Sequence, residues 1–284
     1  MLDCALHVFM RALPIDAASA LGVALSPLLG RRANPIADAR ARALFLRLEP
    51  GLAGDPVAAE RRSAGLWRAI GRTFAEFAVA KRMLRAGRVT LDGADALDAA
   101  CASGRPVILA FLHTGNWEIT GAQMAWRYPG RMVAVVDLPQ SKARAQIATA
   151  TRAHLPIRIC PAGTAMWRSA LDHLARPGAI LWLAADAQEN GICGFPGFGQ
   201  PLPAGGSAGK LVRLARRTRA LVVPLSCERL SGARFVTRVL PPQDPAAMTQ
   251  EAAIAALEAV FAPVARRLAG QWYMALMYRT EALS

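Results

Sequence analysis

The chain of 284 residues is 54% hydrophobic with a net charge of +14, enough apolar material for one large core and a charge that predicts acidic partners. Among its 34 basic residues only Lys81, Lys142 and Lys210 are lysines, so the charge is arginine, which favours phosphate and carboxylate. Nucleic acid is not expected, for there is no basic run interleaved with aromatics, no zinc-finger spacing and no RNA-recognition motif.

The five cysteines, Cys4, Cys101, Cys160, Cys193 and Cys227, are widely spaced with no C-x-x-C pair. Neither disulfides nor a structural zinc site is expected. No stretch reaches the roughly 18 uninterrupted apolar residues of a membrane span. The nearest approach, Ala17 to Gly30, is short and lies between Arg11 and Arg31-Arg32, a pattern suited to a helix resting on a bilayer. The fit to a cleaved signal is poor, because Asp3 stands where a positive start belongs and Arg31-Arg32 follow directly.

In chain order, residues 1 to about 32 read as one or two apolar helices interrupted at Pro14 and Pro27. A looser stretch follows, broken by Pro35, by Glu49-Pro50-Gly51 and by Asp55-Pro56. Ala58 to about Arg85 is a clear helix, with Leu66, Ile70, Phe74 and Phe77 at three- and four-residue steps. From Val89 short apolar runs alternate with helical stretches, which predicts βα units. Strands are expected near 106–111, 131–136, 155–159, 179–184, 220–226, 234–240 and 272–278. Helices are expected over about 93–103, 117–127, 141–153, 163–176, 207–218 and 246–269. The expected architecture is α/β, a mostly parallel or mixed sheet of about seven strands flanked by helices. Residues 1–88 form a helical, membrane-associating N-terminal arm, and 89–284 the catalytic domain.

The most informative stretch is Pro106-Val-Ile-Leu-Ala-Phe-Leu-His113-Thr-Gly-Asn-Trp-Glu118. A buried strand ends on a histidine, Gly115 permits a turn, and Asn116 caps the next helix. Residues five apart on one helix point away from each other, so His113 and Glu118 meet only across that turn. The expectation is an imidazole at a strand's C-terminal end, where open α/β sheets hold ligands, with the Glu118 carboxylate in reach of its far nitrogen. Downstream, Asp186-Ala-Gln188 follows a second apolar strand. The glycine-rich segments Gly194–Gly199 and Pro203–Gly209 lead into a helix starting near Ser207. They lack the phosphate-loop lysine and the dinucleotide spacing. His7, His154 and His173 are isolated, with no H-E-x-x-H, so neither metal nor cofactor is expected.

HTGNWE after such a strand resembles the H-x4-D/E motif of the lipid A late acyltransferases, the lauroyl and myristoyl transferases of Gram-negative bacteria. Gly71-Arg-Thr-Phe-Ala-Glu76-Phe resembles the helix that precedes the catalytic strand in that family. Arg152, Asp186-Ala-Gln188, Gly197-Phe198-Gly199-Gln-Pro201, Gly206-Ser207 and Leu214-Ala215 resemble later family features, in order. In three places the chain departs from the pattern. Ala187 splits the Asp-Gln pair, Val136-Asp137-Leu-Pro139 replaces a tyrosine-arginine-proline, and the N-terminal membrane helix is only partly matched.

The resemblance implies a glycerolipid-acyltransferase-like fold and transfer of a fatty acyl chain from acyl carrier protein or acyl-CoA to a lipid hydroxyl. A lipid A precursor, a lysophospholipid or another hydroxylated or aminated lipid fits as acceptor. It also implies a place on the cytoplasmic face of the inner membrane, against an anionic surface. On this reading His113 is the general base and Glu118 its orienter, and the N–H groups of Gly115 and Asn116 receive the oxyanion. Asn116, Arg152, Asp186, Phe198 and Gly199 hold substrate. A non-catalytic peripheral lipid-binding protein is the alternative of a different class. A serine hydrolase is disfavoured, since no G-x-S-x-G elbow is present.

Overall fold

The computed structural model of the protein describes residues 2–163, 165–202 and 205–279, so Pro203 and Ala204 of the second glycine-rich segment lie outside the described residues. Its centre is a seven-stranded sheet in the order β1-β7-β6-β2-β5-β3-β4. The strands are β1 (Val89–Asp92), β2 (Val107–Phe111), β3 (Met132–Val136), β4 (Arg158–Pro161), β5 (Ile180–Ala184), β6 (Leu221–Arg229) and β7 (Phe235–Val239). All neighbours run parallel except β6 and β7, which form an antiparallel hairpin. The sheet is mixed because the chain between β6 and β7 is too short for a helical crossover.

Every residue of β2 is buried, as the continuous apolar run requires of a strand covered on both faces. Ile108, Ala110 and Leu112 join one core cluster, and Val107, Leu109 and Phe111 join the other. The second cluster packs under α6 (Ala94–Ala102) and α7 (Trp117–Arg127). The first lies under α10 (Ser207–Thr218) and α11 (Gln250–Arg267), and also includes Phe45 and Leu48 of α3 (Pro35–Leu48) and Leu66, Trp67 and Ile70 of α4 (Pro56–Phe77).

The N-terminal region is thus built into the sheet's own core. It comprises α1 (Leu2–Ala12), α2 (Ile15–Leu25), a π-helical turn over Ser26–Arg32, α3, α4 and α5 (Ala80–Arg85). The stretch expected to be loose is therefore largely α3. Pro35 stands in its first turn, where its missing N–H and fixed φ suit a helix start. Asp38 then ties the region together, accepting from Arg31 at 3.0 Å, Arg42 at 2.9 Å and Trp67 at 2.9 Å, and from Ser63. The helices α2 and α4 touch backbone to backbone where Gly22 faces Gly71, since a Cβ on Gly22 would sit 2.3 Å from the Gly71 carbonyl. Among the described residues no helix is long and apolar enough to cross a membrane.

Two expectations about strands are corrected. The strand that completes the sheet is β1, Val89–Asp92, where none is expected, and it pairs with β7 at the sheet edge. Residues 272–278 are instead Trp272 followed by a 3₁₀ turn over Tyr273–Met277. Trp272, Met274, Ala275, Leu276 and Tyr278 are buried members of the main core cluster, so the same hydrophobicity is satisfied without a strand.

One buried histidine gives the fold a pH dependence. His173, on α9 (Met166–Leu174), lies 3.0 Å from the Ile180 carbonyl, and burial, the largest cause, holds its pKa below 6.5. The folded state then binds this proton less readily than the unfolded state. Its stabilising share is complete above about pH 6.5 and falls as pH drops toward the folded value, by at most about 1.4 kcal/mol per pH unit. In unfolding titrations His173→Gln should flatten the pH 5–6.5 slope relative to the parent; an unchanged slope would remove His173 as its source.

Candidate active site

The parallel register of β2 and β5 pairs Phe111 with Ala184, an offset of 73 residues. Carried two residues past each strand, the same offset sets His113 beside Asp186. The imidazole Nδ1 lies 2.7 Å from Asp186 Oδ1, and the His113 backbone N–H donates to Oδ2 at 2.9 Å. Trp272 Nε1 donates to that same Oδ2 at 2.7 Å. Asp186 is fully buried and accepts all three bonds, so its carboxylate is fixed in plane and orientation. A carboxylate can only accept, so this contact calls for a proton on Nδ1. Nε2 has no hydrogen-bond partner among the described residues.

The ring is framed by aromatics. Its centroid is 5.1 Å from those of Phe111 and Trp117 and 6.4 Å from that of Tyr273. Tyr273 N–H bonds the His113 carbonyl at 2.8 Å, which explains why this tyrosine stands at the site. Phe74 extends the wall outward, 5.9 Å edge-on to Tyr273, and is itself exposed.

The turn after His113 is locked from below. Gly115 takes φ +58°, and a Cβ there would lie 2.6 Å from the Cys227 carbonyl, so both conformation and space require glycine. Asn116 caps α7 by accepting the Ile119 N–H at 3.2 Å, as its residue type predicts. Its amide nitrogen donates to Glu76 Oε2 at 3.0 Å. Glu76, buried on α4, also accepts from Ser19 at 2.7 Å and from both terminal nitrogens of Arg229 at 2.6 and 2.8 Å. Thr73, one turn earlier, donates to the Gly115 carbonyl at 2.8 Å. One carboxylate therefore joins α2, α4, the turn after His113 and the end of β6.

The expected residues are sorted differently from the sequence reading. Glu118 does not meet His113. It pairs with Arg152 at the end of α8 (Lys142–Arg152), with Nε at 3.1 Å from Oε2 and Nη2 against Oε1. Asp186, two residues past the end of β5, occupies the Nδ1 side of the ring in place of Glu118. The N–H groups of Gly115 and Asn116 are not open to an oxyanion, since they donate to the Gln271 carbonyl at 3.0 Å and to Cys227 Sγ at 3.3 Å. Asn116 is fully buried, and both ends of its amide are bonded within the protein.

Arg152 lies 5.3 Å over the Phe77 ring, and its Nη1 is buried without an acceptor among the described residues. Phe198 and Gly199, both at positive φ, belong to a loop whose Gly197 and Phe198 N–H groups donate to Glu258 at 2.9 Å. The Phe198 ring packs edge-on against Trp272 at 6.0 Å and so supports the partner of Asp186 without touching His113. Gln188 reaches Asp137 at 3.2 Å, away from the imidazole. No cluster of described residues has the makings of a metal site.

Sequence reasoning missed the roles of Glu76 and Trp272 and misassigned the partner of the histidine. One signal was present: β2 and β5 each end two residues before a polar side chain, His113 in one and Asp186 in the other. Against known proteins, one family model, Bacterial lipid A biosynthesis acyltransferase, matches residues 2–277. Comparison with curated proteins returns no match.

Proposed function

The chain belongs to the bacterial lipid A biosynthesis acyltransferase family, and from that premise we propose that it moves a fatty acyl chain from a thioester to a hydroxyl of a lipid A-type acceptor, with His113 as general base. The observation that carries this reading is the 2.7 Å contact between His113 Nδ1 and buried Asp186, which leaves Nε2 as the basic atom. Nε2 takes the proton of the acceptor hydroxyl as its oxygen attacks the thioester carbonyl carbon. The carbonyl electron pair moves onto oxygen, then returns to expel the thiolate, which recovers the proton from the imidazolium. Asp186 stabilises that cation without itself being protonated.

The first-turn N–H groups of Trp117 and Glu118 have no acceptor among the described residues and are the remaining backbone donors for the oxyanion. Glu118 has a different task from the one its spacing suggests. It aims Arg152, whose buried and unpartnered Nη1 suits a phosphate or carboxylate of the substrate. A cleft of about 450 Å³ beside it, lined by Val8, Phe77, Ile147 and Ala150, supplies apolar surface for a lipid chain.

The donor is acyl carrier protein or coenzyme A, and the work is done at the cytoplasmic face of the inner membrane. Exposed Val8, Phe9, Leu28, Leu29 and Ile36, with basic residues between them, suit contact with an anionic bilayer.

Thioester consumption, with the lipid product identified by mass spectrometry, tests this reading. His113→Ala should lose about 10²–10⁴-fold in turnover while unfolding at the parent temperature. Glu118→Gln and Arg152→Gln should each lose activity, and the double variant little more than either, because the two act as one unit. Full turnover in His113→Ala would end the assignment of the base, and a lysophospholipid product would redirect the acceptor.

A further inference from the structure

The helix α4 carries Arg61, Gly65, Arg68 and Arg72 at steps of three and four, which places them along one side. That side forms one wall of a cleft of about 450 Å³. The facing wall comes from the end of β6, the last residue of α11 and the chain after it, and brings Arg229, Arg267, Gly270 and Gln271. With Arg62, six arginines line the cleft, and among the described residues no aspartate or glutamate does.

Three of the six are neutralised from outside the cleft: Arg62 by Glu49 at 2.8 Å, Arg267 by Glu228 at 2.7 Å and Arg229 by Glu76. Arg61, Arg68 and Arg72 have no carboxylate partner among the described residues, and Arg72 reaches only the hydroxyl of Ser19, at 3.2 Å. The Nε of Arg229, a side chain 8% exposed, is buried without an acceptor. Three uncompensated guanidinium groups around one concavity repel each other, and an anion between them removes that repulsion. The wall is kept low by glycine. A Cβ on Gly270 would come within 2.5 Å of Arg62 Nη1, and Gly65 leaves open space beside Arg68.

We propose that this cleft is a phosphate site, taking a phosphomonoester or diphosphate group with Arg61, Arg68 and Arg72 as its direct ligands. The guanidinium fork matches phosphate oxygens in pairs. The cleft is concave and of small-molecule size, whereas a helix of an acidic protein is about 10–12 Å across. Among the described residues no aromatic ring lines it, so bases of a nucleic acid find nothing there to stack on. The phosphate belongs either to a lipid headgroup or to a soluble ester. The site stands apart from His113 and does not depend on the acyl-transfer reading. Gln271 nonetheless links the two, since its carbonyl accepts the Gly115 N–H and its side chain bonds the Arg229 backbone.

Calorimetric titration of the full chain with inorganic phosphate and pyrophosphate tests the proposal. The triple variant Arg61→Gln/Arg68→Gln/Arg72→Gln should bind at least about tenfold more weakly. The charge-matched control Arg176→Gln/Arg216→Gln/Arg217→Gln should bind like the parent. Because Arg72 touches the Ser19–Glu76 contact, the pair Arg61→Gln/Arg68→Gln is measured beside it, with unfolding temperatures. Co-sedimentation with phosphatidylcholine vesicles, with and without phosphatidic acid, separates the sources. Loss of the phosphatidic-acid increment in the triple variant assigns the cleft to a lipid headgroup. An unchanged increment with weakened pyrophosphate binding assigns it to a soluble ester. No binding of either anion by the parent, or equal weakening in the control, overturns the proposal.

Discussion

Asp186→Asn is expected to fold normally and to lose about 10²–10⁴-fold in turnover, the range contributed by a positioned base. Asparagine is the closest isostere of aspartate, so packing around residue 186 is kept. Its hydrogen bonding is not. The His113 backbone N–H and Trp272 Nε1–H both point at Oδ2, so the amide oxygen must take that place and the NH₂ must take the place of Oδ1. The NH₂ group then donates toward His113 Nδ1, which can only accept. The ring proton is forced onto Nε2, the atom that has to be basic, and the imidazolium loses its counter-charge. The loss should fall in kcat more than in KM, since acceptor and donor contacts are untouched. Trp272→Phe removes one donor and leaves the tautomer in place, so its loss should be much smaller. Activity of Asp186→Asn within a few-fold of the parent would mean that the imidazole is not the base.

Glu76→Ala is expected to be the most destabilising single change outside the apolar core, by about 3–5 kcal/mol. Glu76 is fully buried and accepts from Ser19, Asn116 and twice from Arg229. Truncation leaves the Arg229 guanidinium buried against Phe235, 4.5 Å from its ring, with no carboxylate. It also frees the Asn116 amide beneath the turn that follows His113. Replacing both partners, as Glu76→Leu/Arg229→Met, should recover most of the stability, because the main penalty is the uncompensated charge. It should not recover turnover, since Asn116 still lacks its anchor. Chemical unfolding checks the first part and thioester assays the second. A cost below about 1 kcal/mol for Glu76→Ala would show the cluster to be open to water.

Local pattern was enough for the helices whose ends carry chemical signals. Asn116 opens α7 and Ser207 opens α10 where the sequence predicts. The buried central strands were legible for a similar reason, since their apolar runs are bounded by polar residues on both sides. Pattern was misleading where hydrophobicity had more than one outlet. The apolar run from Trp272 reads as a strand, yet it satisfies its burial by joining the core as a 3₁₀ turn. The region of α3 reads as loose because Pro35 and the following Pro50 and Pro56 break the pattern, although Pro35 sits where a helix tolerates it.

A histidine at the end of a buried strand, a glycine turn after it, and acids and arginines at the ends of the neighbouring units are all readable from residue order. How these groups pair is set by the folded sheet. Glu118 is five residues from His113 and goes to Arg152, whereas Asp186, 73 residues away, holds the imidazole. The reason is the parallel ladder: β2 and β5 lie side by side in register, and hydrogen bonds between strands align residues that chain distance separates. Spacing along a chain sets which side chains share an element. Strand order sets which ones meet.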